Sequence, residues 1–188
     1  MIENHKPLRI LVVSLVDFNN SVHSRPHQLV DYLCRYHEVT ALCMNAWWLA
    51  KTDGSVFYNT QSYYRGHLTH LKENLHMHYL DKGRHGAVYQ EIFSWRAINT
   101  LLNDQESGDF DVIINSNTLI TGYYLGRKPL PRRIPMVFDI ADDIPAMVSM
   151  SPHLPPLARP LARPLAGWFF RKNVEKASRI TYITHALR

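Results

Sequence analysis

The sequence predicts an α/β fold built on a doubly wound, mostly parallel sheet, and three observations predict it. Apolar runs of strand length alternate with helix-period segments along the chain. The first unit, Leu8 to Leu42, reads strand, helix, strand, with a connection that must cross over and lay parallel strands side by side. The strand runs are nearly continuous in apolar residues, as strands covered on both faces require.

The elements follow in order. Leu8 to Val16 is the first buried strand, and a polar loop, Asp17 to His23, leads from it to a helix. Ser24 has the chemistry of an N-cap, Pro26 suits the first turn, and Leu29, Val30, Leu33 and Cys34 form the inward stripe. Glu38 to Cys43 is the second strand. Asn45 to Tyr64 is an aromatic loop carrying Trp47, Trp48, Phe57, Tyr58, Tyr63 and Tyr64. Those rings suit stacking on a sugar or base, or simply fold the loop onto the domain. His67, His70, His76, His78 and His85 follow. His76 and His78 share one face of a strand from Leu75 to Leu80; with no recognised zinc spacing, a solvated or half-buried strand face is the expectation there, not a metal site.

A helix is expected from Ala87 to Asp104, with Val88, Ile92, Trp95, Ile98 and Leu102 facing the core. Phe110 to Asn115 is the next strand, and Ser116-Asn117-Thr118 caps a short helix ending at Gly126. A basic, proline-rich connection, Lys128 to Pro135, leads to a strand through Ile140 and the turn Ala141-Asp142-Asp143. After a proline-punctuated stretch from Met150, a helix is expected from near Pro164 to Lys176, then a last strand, Arg179 to Thr184. No domain boundary is visible, so residues 1–188 read as a single domain.

Composition sets bounds. The 188 residues suffice for one sizeable core; 46% are hydrophobic and 20% charged, ordinary for a globular chain. A net charge of +5 and a pI near 9.3 permit an anionic partner without naming one. Cys34 and Cys43 lie among apolar residues without C-x-x-C spacing and read as buried, reduced thiols. No leader-like segment and no run of about 18 apolar residues is present, so a cytoplasmic protein is expected.

The loop Asp17 to Ser24 contains no glycine, which argues against a dinucleotide fold, and no G-x-x-x-x-G-K-[ST] or G-x-S-x-G occurs. What remains is a rim of polar residues at successive strand ends: Asp17 and Asn19; Asn115, Ser116 and Asn117; Asp139, Asp142 and Asp143; Thr184 and His185. Neutral hydrogen bonders with acids suit a polyhydroxylated ligand. Helix capping or a solvated turn is the plain alternative for Asp142 and Asp143, and a magnesium site on the same acids is a third.

Segments 24–30 (Ser-Arg-Pro-His-Gln-Leu-Val), 111–114, 134–143 and 175–184 are similar, in order and spacing, to the N-terminal domain of retaining GT-B glycosyltransferases of family 4 (glycosyltransferase group 1). The resemblance spans most of the chain. It departs in the glycine-free loop after the first strand and in Ala141-Asp142-Asp143, where many members carry a histidine. It implies one Rossmann-like, acceptor-side half of a GT-B fold. The nucleotide-sugar donor is then expected on a C-terminal domain outside this chain, no cofactor or metal is expected here, and the chain alone is expected to be inactive. The implied reaction moves a sugar from a nucleotide diphosphate to a glycan or lipid-linked acceptor, as in polysaccharide biosynthesis. On that reading Asp142 and Asp143 are the candidate catalytic residues, and Asp17, Asn19, Arg25, Asn115, Ser116 and Asp139 bind acceptor. Outside the resemblance, a non-catalytic sugar- or nucleotide-binding module and a magnesium-dependent hydrolase on Asp139, Asp142 and Asp143 stay open. Arg159, Arg163, Arg171 and Lys172 beside Leu165, Trp168, Phe169 and Phe170 suit peripheral contact with an anionic membrane, or a helix packed on the sheet with solvated cations. Self-association through an open face is also expected; a nucleic-acid partner is not.

Overall fold

The computed structural model describes residues 6–19, 21, 23–45, 69–80, 85–103, 109–128, 133–151, 154 and 156–182. Its centre is a six-stranded, all-parallel sheet in the order β3-β2-β1-β4-β5-β6. The strands are β1 (Arg9–Ser14), β2 (Glu38–Cys43), β3 (Leu75–Tyr79), β4 (Val112–Ser116), β5 (Met136–Ile140) and β6 (Arg179–Tyr182). The helices are α1 (Arg25–Leu33), α2 (Thr69–Asn74), α3 (Ala87–Ile92), α4 (Ser94–Asn103), α5 (Ile120–Arg127), α6 (Ile144–Met150) and α7 (Arg159–Lys176). This is the doubly wound, Rossmann-like arrangement, with the strand order reversing direction between β1 and β4. In such sheets ligands bind outside the carboxyl ends at that reversal.

Alternate residues of β1 feed two cores. Ile10 and Val12 pack with Val30 and Cys34 of α1; Leu11 and Val13 pack with Ile98 and Leu101 of α4 and Leu125 of α5. Both faces of the central strands are therefore apolar, which is why their sequence shows no alternation. At the edges the pattern relaxes. His76 and His78 lie on the exposed face of β3, and all four residues of β6 are exposed. Cys34 and Cys43 are free, buried thiols; burial pushes Cys34 up to about 12 and Cys43 higher still.

Three expectations need correction. The segment after Gly86 is two helices broken at Phe93 (φ −94°, ψ 5°), not one. Val88, Ile92 and Trp95 are 50%, 41% and 43% exposed, while Gln90, Glu91, Ser94, Ile98 and Leu101 face inward. The physical reason is position: α3 lies against strand ends and a helix start, where free peptide groups demand polar partners. Second, α7 begins at Arg159, five residues before Pro164. Pro160 fits its first turn, and Pro164, which removes one intrahelical bond, is exposed. Third, the Ser116-Asn117-Thr118 stretch caps α5 only in part. Among the described residues no helix is long and apolar enough to cross a membrane. The aromatic loop after Asn45, and Thr184 with His185, lie outside the described residues.

Candidate functional site

The carboxyl ends of β1, β4 and β5 align in register, with Ser14 opposite Ser116 and Ser116 opposite Asp139. Each loop leaving this edge is held by a buried polar side chain. After β1, Asp17 Oδ1 accepts from the Asn19 N–H (3.0 Å) and from the Tyr79 hydroxyl (3.4 Å), and Asn19 Nδ2 donates to that hydroxyl at 2.8 Å. Burial pushes the Tyr79 phenol up to about 12. Phe18 is fully buried, and its carbonyl meets His27 Nε2 at 3.2 Å. His27 Nδ1 accepts from the Ser24 N–H at 3.2 Å, closing a capping box with histidine in the third helical position. The ring is thus neutral, Nε2–H donating to Phe18, and burial lowers its pKa from 6.5 to about 4.

The α5 entrance is the most unusual feature. Its first four N–H groups need partners. Thr118 Oγ1 takes the Gly122 N–H (3.0 Å), and the other three go to one carboxylate. Glu91 Oε1 accepts from the Leu119 N–H (3.1 Å), and Oε2 accepts from the Ile120 and Thr121 N–H groups, the latter at 3.0 Å. Glu91 is 6% exposed. Its pKa is raised by burial, opposed by those same N–H donors. The neighbouring Gln90 ties the end of β2 in the same way: Oε1 accepts from the Asn45 N–H (2.8 Å), and Nε2 donates to the Asn45 and His85 carbonyls (3.3 and 2.8 Å). Sequence reasoning missed Gln90, Glu91 and His27 because each falls within a helical pattern read for its apolar members.

The structure distributes the sequence-predicted residues among distinct roles. Arg25 and Asp139 come together, with Nη2 to Oδ1 at 2.6 Å and Nε to Oδ2 at 3.3 Å, and Thr181 donates to the same Oδ1 at 2.6 Å. Asn115 is fully buried in a knot: Oδ1 accepts from the Thr118 N–H and hydroxyl (3.0 and 2.6 Å), and Nδ2 donates to the Thr118 carbonyl (3.1 Å) and to Asn173 Oδ1 (2.9 Å). Ser116 is 1% exposed, with its hydroxyl unpartnered. Asp142 is exposed, and its Oδ2 accepts from Asn117 Nδ2 at 3.1 Å. Asn117 holds a left-handed backbone (φ 63°), a conformation asparagine tolerates, and its Oδ1 takes the Ala141 N–H at 3.1 Å. Asp143 is exposed and caps α6 through the Ala146 N–H (3.1 Å). With Asp139 paired to Arg25 and Asp143 spent on α6, the three acids do not converge. Among the described residues no group of three or more His, Cys, Asp or Glu side chains is placed to hold a metal.

Above this edge lies a cavity of about 330 Å³, walled by residues that follow β1, β2 and β4 (Leu15, Met44, Leu119), by Ile144 of α6, by Val88 and Glu91 of α3 and by Leu161, Ala162, Leu165 and Phe169 of α7. Its lining is almost wholly apolar; Glu91 is the one ionisable group, and its oxygens are turned to the α5 backbone.

No protein-family model matches the chain, and no curated protein matches it. Among solved structures, the chain is similar to the crystal structure of Arabidopsis thaliana UGT89C1 complexed with UDP. The identity is 14% and the TM-score 0.48, over 94% of this chain and 45% of that one. The chain thus spans less than half the length of that structure.

Proposed function

We propose that this chain is the acceptor-binding part of a nucleotide-sugar-dependent glycosyltransferase, a retaining enzyme of family 4 in which a second domain holds the donor. The acceptor is a glycan or lipid-linked sugar whose apolar portion enters the cavity. The sequence resemblance over segments 24–30, 111–114, 134–143 and 175–184 supports the family. The observation that carries the acceptor role is the cavity itself: it sits at the ligand-binding edge of a doubly wound sheet, and its lining is almost wholly apolar, with the Glu91 oxygens turned to the α5 backbone. An apolar lining of this kind suits an aliphatic or prenyl tail better than a nucleotide diphosphate.

On this reading the polar rim beside Ile144 receives the sugar end of the acceptor. Asp142 is exposed there, with its Oδ2 steadied by Asn117, and Arg25 is 40% exposed above Asp139. The chain's contribution to rate is orientation: it holds the acceptor hydroxyl where the donor domain presents the anomeric carbon. Asp143 acts on the helix start rather than on substrate. Asn115 and Ser116 are assigned to the walls that shape the edge.

The test is a titration of the chain with alkyl glucosides of increasing tail length, below micelle formation, and with glucose. Affinity is expected to rise by roughly threefold to fourfold per added methylene, following about 0.8 kcal/mol for each buried CH₂. Ala162→Trp, which fills the cavity, removes that dependence. Affinity independent of tail length would sink the acceptor assignment.

A further inference from the structure

Resting on the acceptor reading above, we infer that the acceptor sugar is uncharged and that Arg25 and Thr181, both held by Asp139, bind two of its neighbouring hydroxyls. Arg25 opens α1, and Asp139 lies near the carboxyl end of β5, 114 residues away in sequence. The fold joins them through both edges of one fork. Arg25 Nη2 and Nε donate to Asp139 at 2.6 and 3.3 Å, so two bonds fix the guanidinium plane. The Asp139 side chain is 4% exposed and that of Arg25 40%, which leaves the arginine end facing solvent. Nη1 and the outer hydrogen of Nη2 have no partner among the described residues. Donors held in place before a ligand arrives lose little freedom when it binds.

Thr181 supplies the opposite polarity. It is the register partner of Asp139 and is exposed, and its hydroxyl donates to Asp139 Oδ1 at 2.6 Å. With that hydrogen committed, the Thr181 oxygen is left as an acceptor. Fixed donors beside a fixed acceptor are what adjacent sugar hydroxyls require, since each gives one hydrogen and takes another. Ser116, in register with Asp139 on its other side, belongs to the wall of the same row. It is 1% exposed with an unpartnered hydroxyl, so the row holds one polar group that its own members do not satisfy.

Charge decides between a neutral and an anionic sugar. Asp139 matches Arg25 one for one, so the fork offers hydrogen bonds without an unpaired cation behind them. Asp142 and Asp143, on the turn that follows β5, are exposed acids. Arg179 is exposed on the face of Thr181 but stands two residues back from the carboxyl edge. A carboxylate or phosphate on the sugar would meet these acids without a cation of its own; a hydroxyl meets donors and an acceptor.

The experiment titrates the chain with the octyl glycosides of glucose, galactose, mannose and glucuronic acid, below micelle formation. One tail serves all four, so differences in affinity come from the sugar. The tightest and weakest of the three neutral epimers are expected to differ at least tenfold, because an epimer turns one hydroxyl away from a charged partner. The glucuronide is expected to bind more weakly than the glucoside. Arg25→Lys keeps a cation beside Asp139 but loses the fork, and is expected to bring the three epimers within twofold. Thr181→Val, at an exposed strand position, is expected to narrow the spread at least threefold. Circular dichroism checks that each variant is folded. A merely structural ion pair would shift the melting temperature and leave the spread intact, so an unchanged spread in Arg25→Lys overturns the inference. So does equal binding of the three epimers by the unaltered chain, or tighter binding of the glucuronide. Tail length separates this failure from that of the acceptor reading. Epimers that bind alike while affinity still climbs with tail length overturn the hydroxyl subsite alone; a flat response to both overturns the two together.

Discussion

Two buried titratable side chains hold the carboxyl edge, and they respond to pH with opposite sign. His27 is neutral in the fold, its pKa lowered from 6.5 to about 4 by burial, so the unfolded chain binds the extra proton between those values. Its contribution is present above pH 6.5 and is lost as pH falls toward 4, amounting to roughly 3 kcal/mol over the window. Denaturant unfolding at pH 7 and pH 5 is expected to show the fold weakening at the lower pH. His27→Gln, which cannot gain a proton, is expected to show a shallower slope; an equal slope would place the sensitivity elsewhere. Glu91 runs the other way. Its raised pKa means that its contribution is complete below its ordinary value of 4.5 and is eroded as pH rises through the folded value. Because its carboxylate is the sole acceptor for three first-turn N–H groups of α5, Glu91→Ala is expected to cost about 3 kcal/mol or more at neutral pH. Val88→Ala, on the exposed side of the same helix, is expected to cost little. Urea midpoints for the pair decide it: similar midpoints would show that α5 does not depend on the carboxylate.

At the scale of elements, close packing at the α5–α7 crossing sets the tolerance. Gly122 lies where a Cβ would fall on Asn115 Nδ2 and Asn173 Oδ1, whereas a Cβ at Gly167 of α7 would meet nothing within 4 Å. Asn173 Nδ2 donates to the Leu119 and Phe169 carbonyls (2.8 and 2.9 Å), so neither amide can give way without losing bonds. Gly122→Ala is therefore expected to destabilise by about 3 kcal/mol. Gly167→Ala is expected to stabilise by about 0.5–1 kcal/mol, from helix propensity alone. Thermal melts of the two variants read the contrast, and shifts of the same sign would refute the crossing as described.

The same elements show what was legible in the sequence. Strands β1, β2, β4 and β5 were readable because double burial leaves an unbroken apolar run, and Ser24 with Pro26 marked the start of α1. Helix α3 was misread because its inward residues, Gln90 and Glu91, are there to satisfy backbone groups from β2 and α5, a demand that exists only once those distant segments meet. The start of α7 was hidden by Pro164, which a helix tolerates near its exposed beginning. At the site, Asp142 and Asn117 could be found from their place after a strand. The cavity could not, since its walls come from seven separate stretches of chain.

Across the whole molecule, the described starts of α1, α5 and α6 along the carboxyl edge are already occupied by the chain's own residues. In doubly wound folds that hold nucleotides, the phosphates rest on free N–H groups at helix starts along the carboxyl edge. Here α1 has Pro26 in its first turn and a capping box between Ser24 and His27. Helix α5 is filled by Glu91 and Thr118, and α6 by Asp143. The glycine-free loop after β1 adds the fully buried Phe18 where a phosphate loop would bring its backbone close. At the start of α5 a donor diphosphate would have to displace the buried Glu91 carboxylate. The chain is therefore expected to bind nucleotide sugars no tighter than about millimolar, near 4 kcal/mol, and to release no nucleotide from them. Calorimetric titration with UDP-, GDP- and ADP-linked sugars, run beside an assay for released nucleotide, measures both. Micromolar binding or turnover by this chain would place the donor site within these residues and reverse the assignment of the two halves.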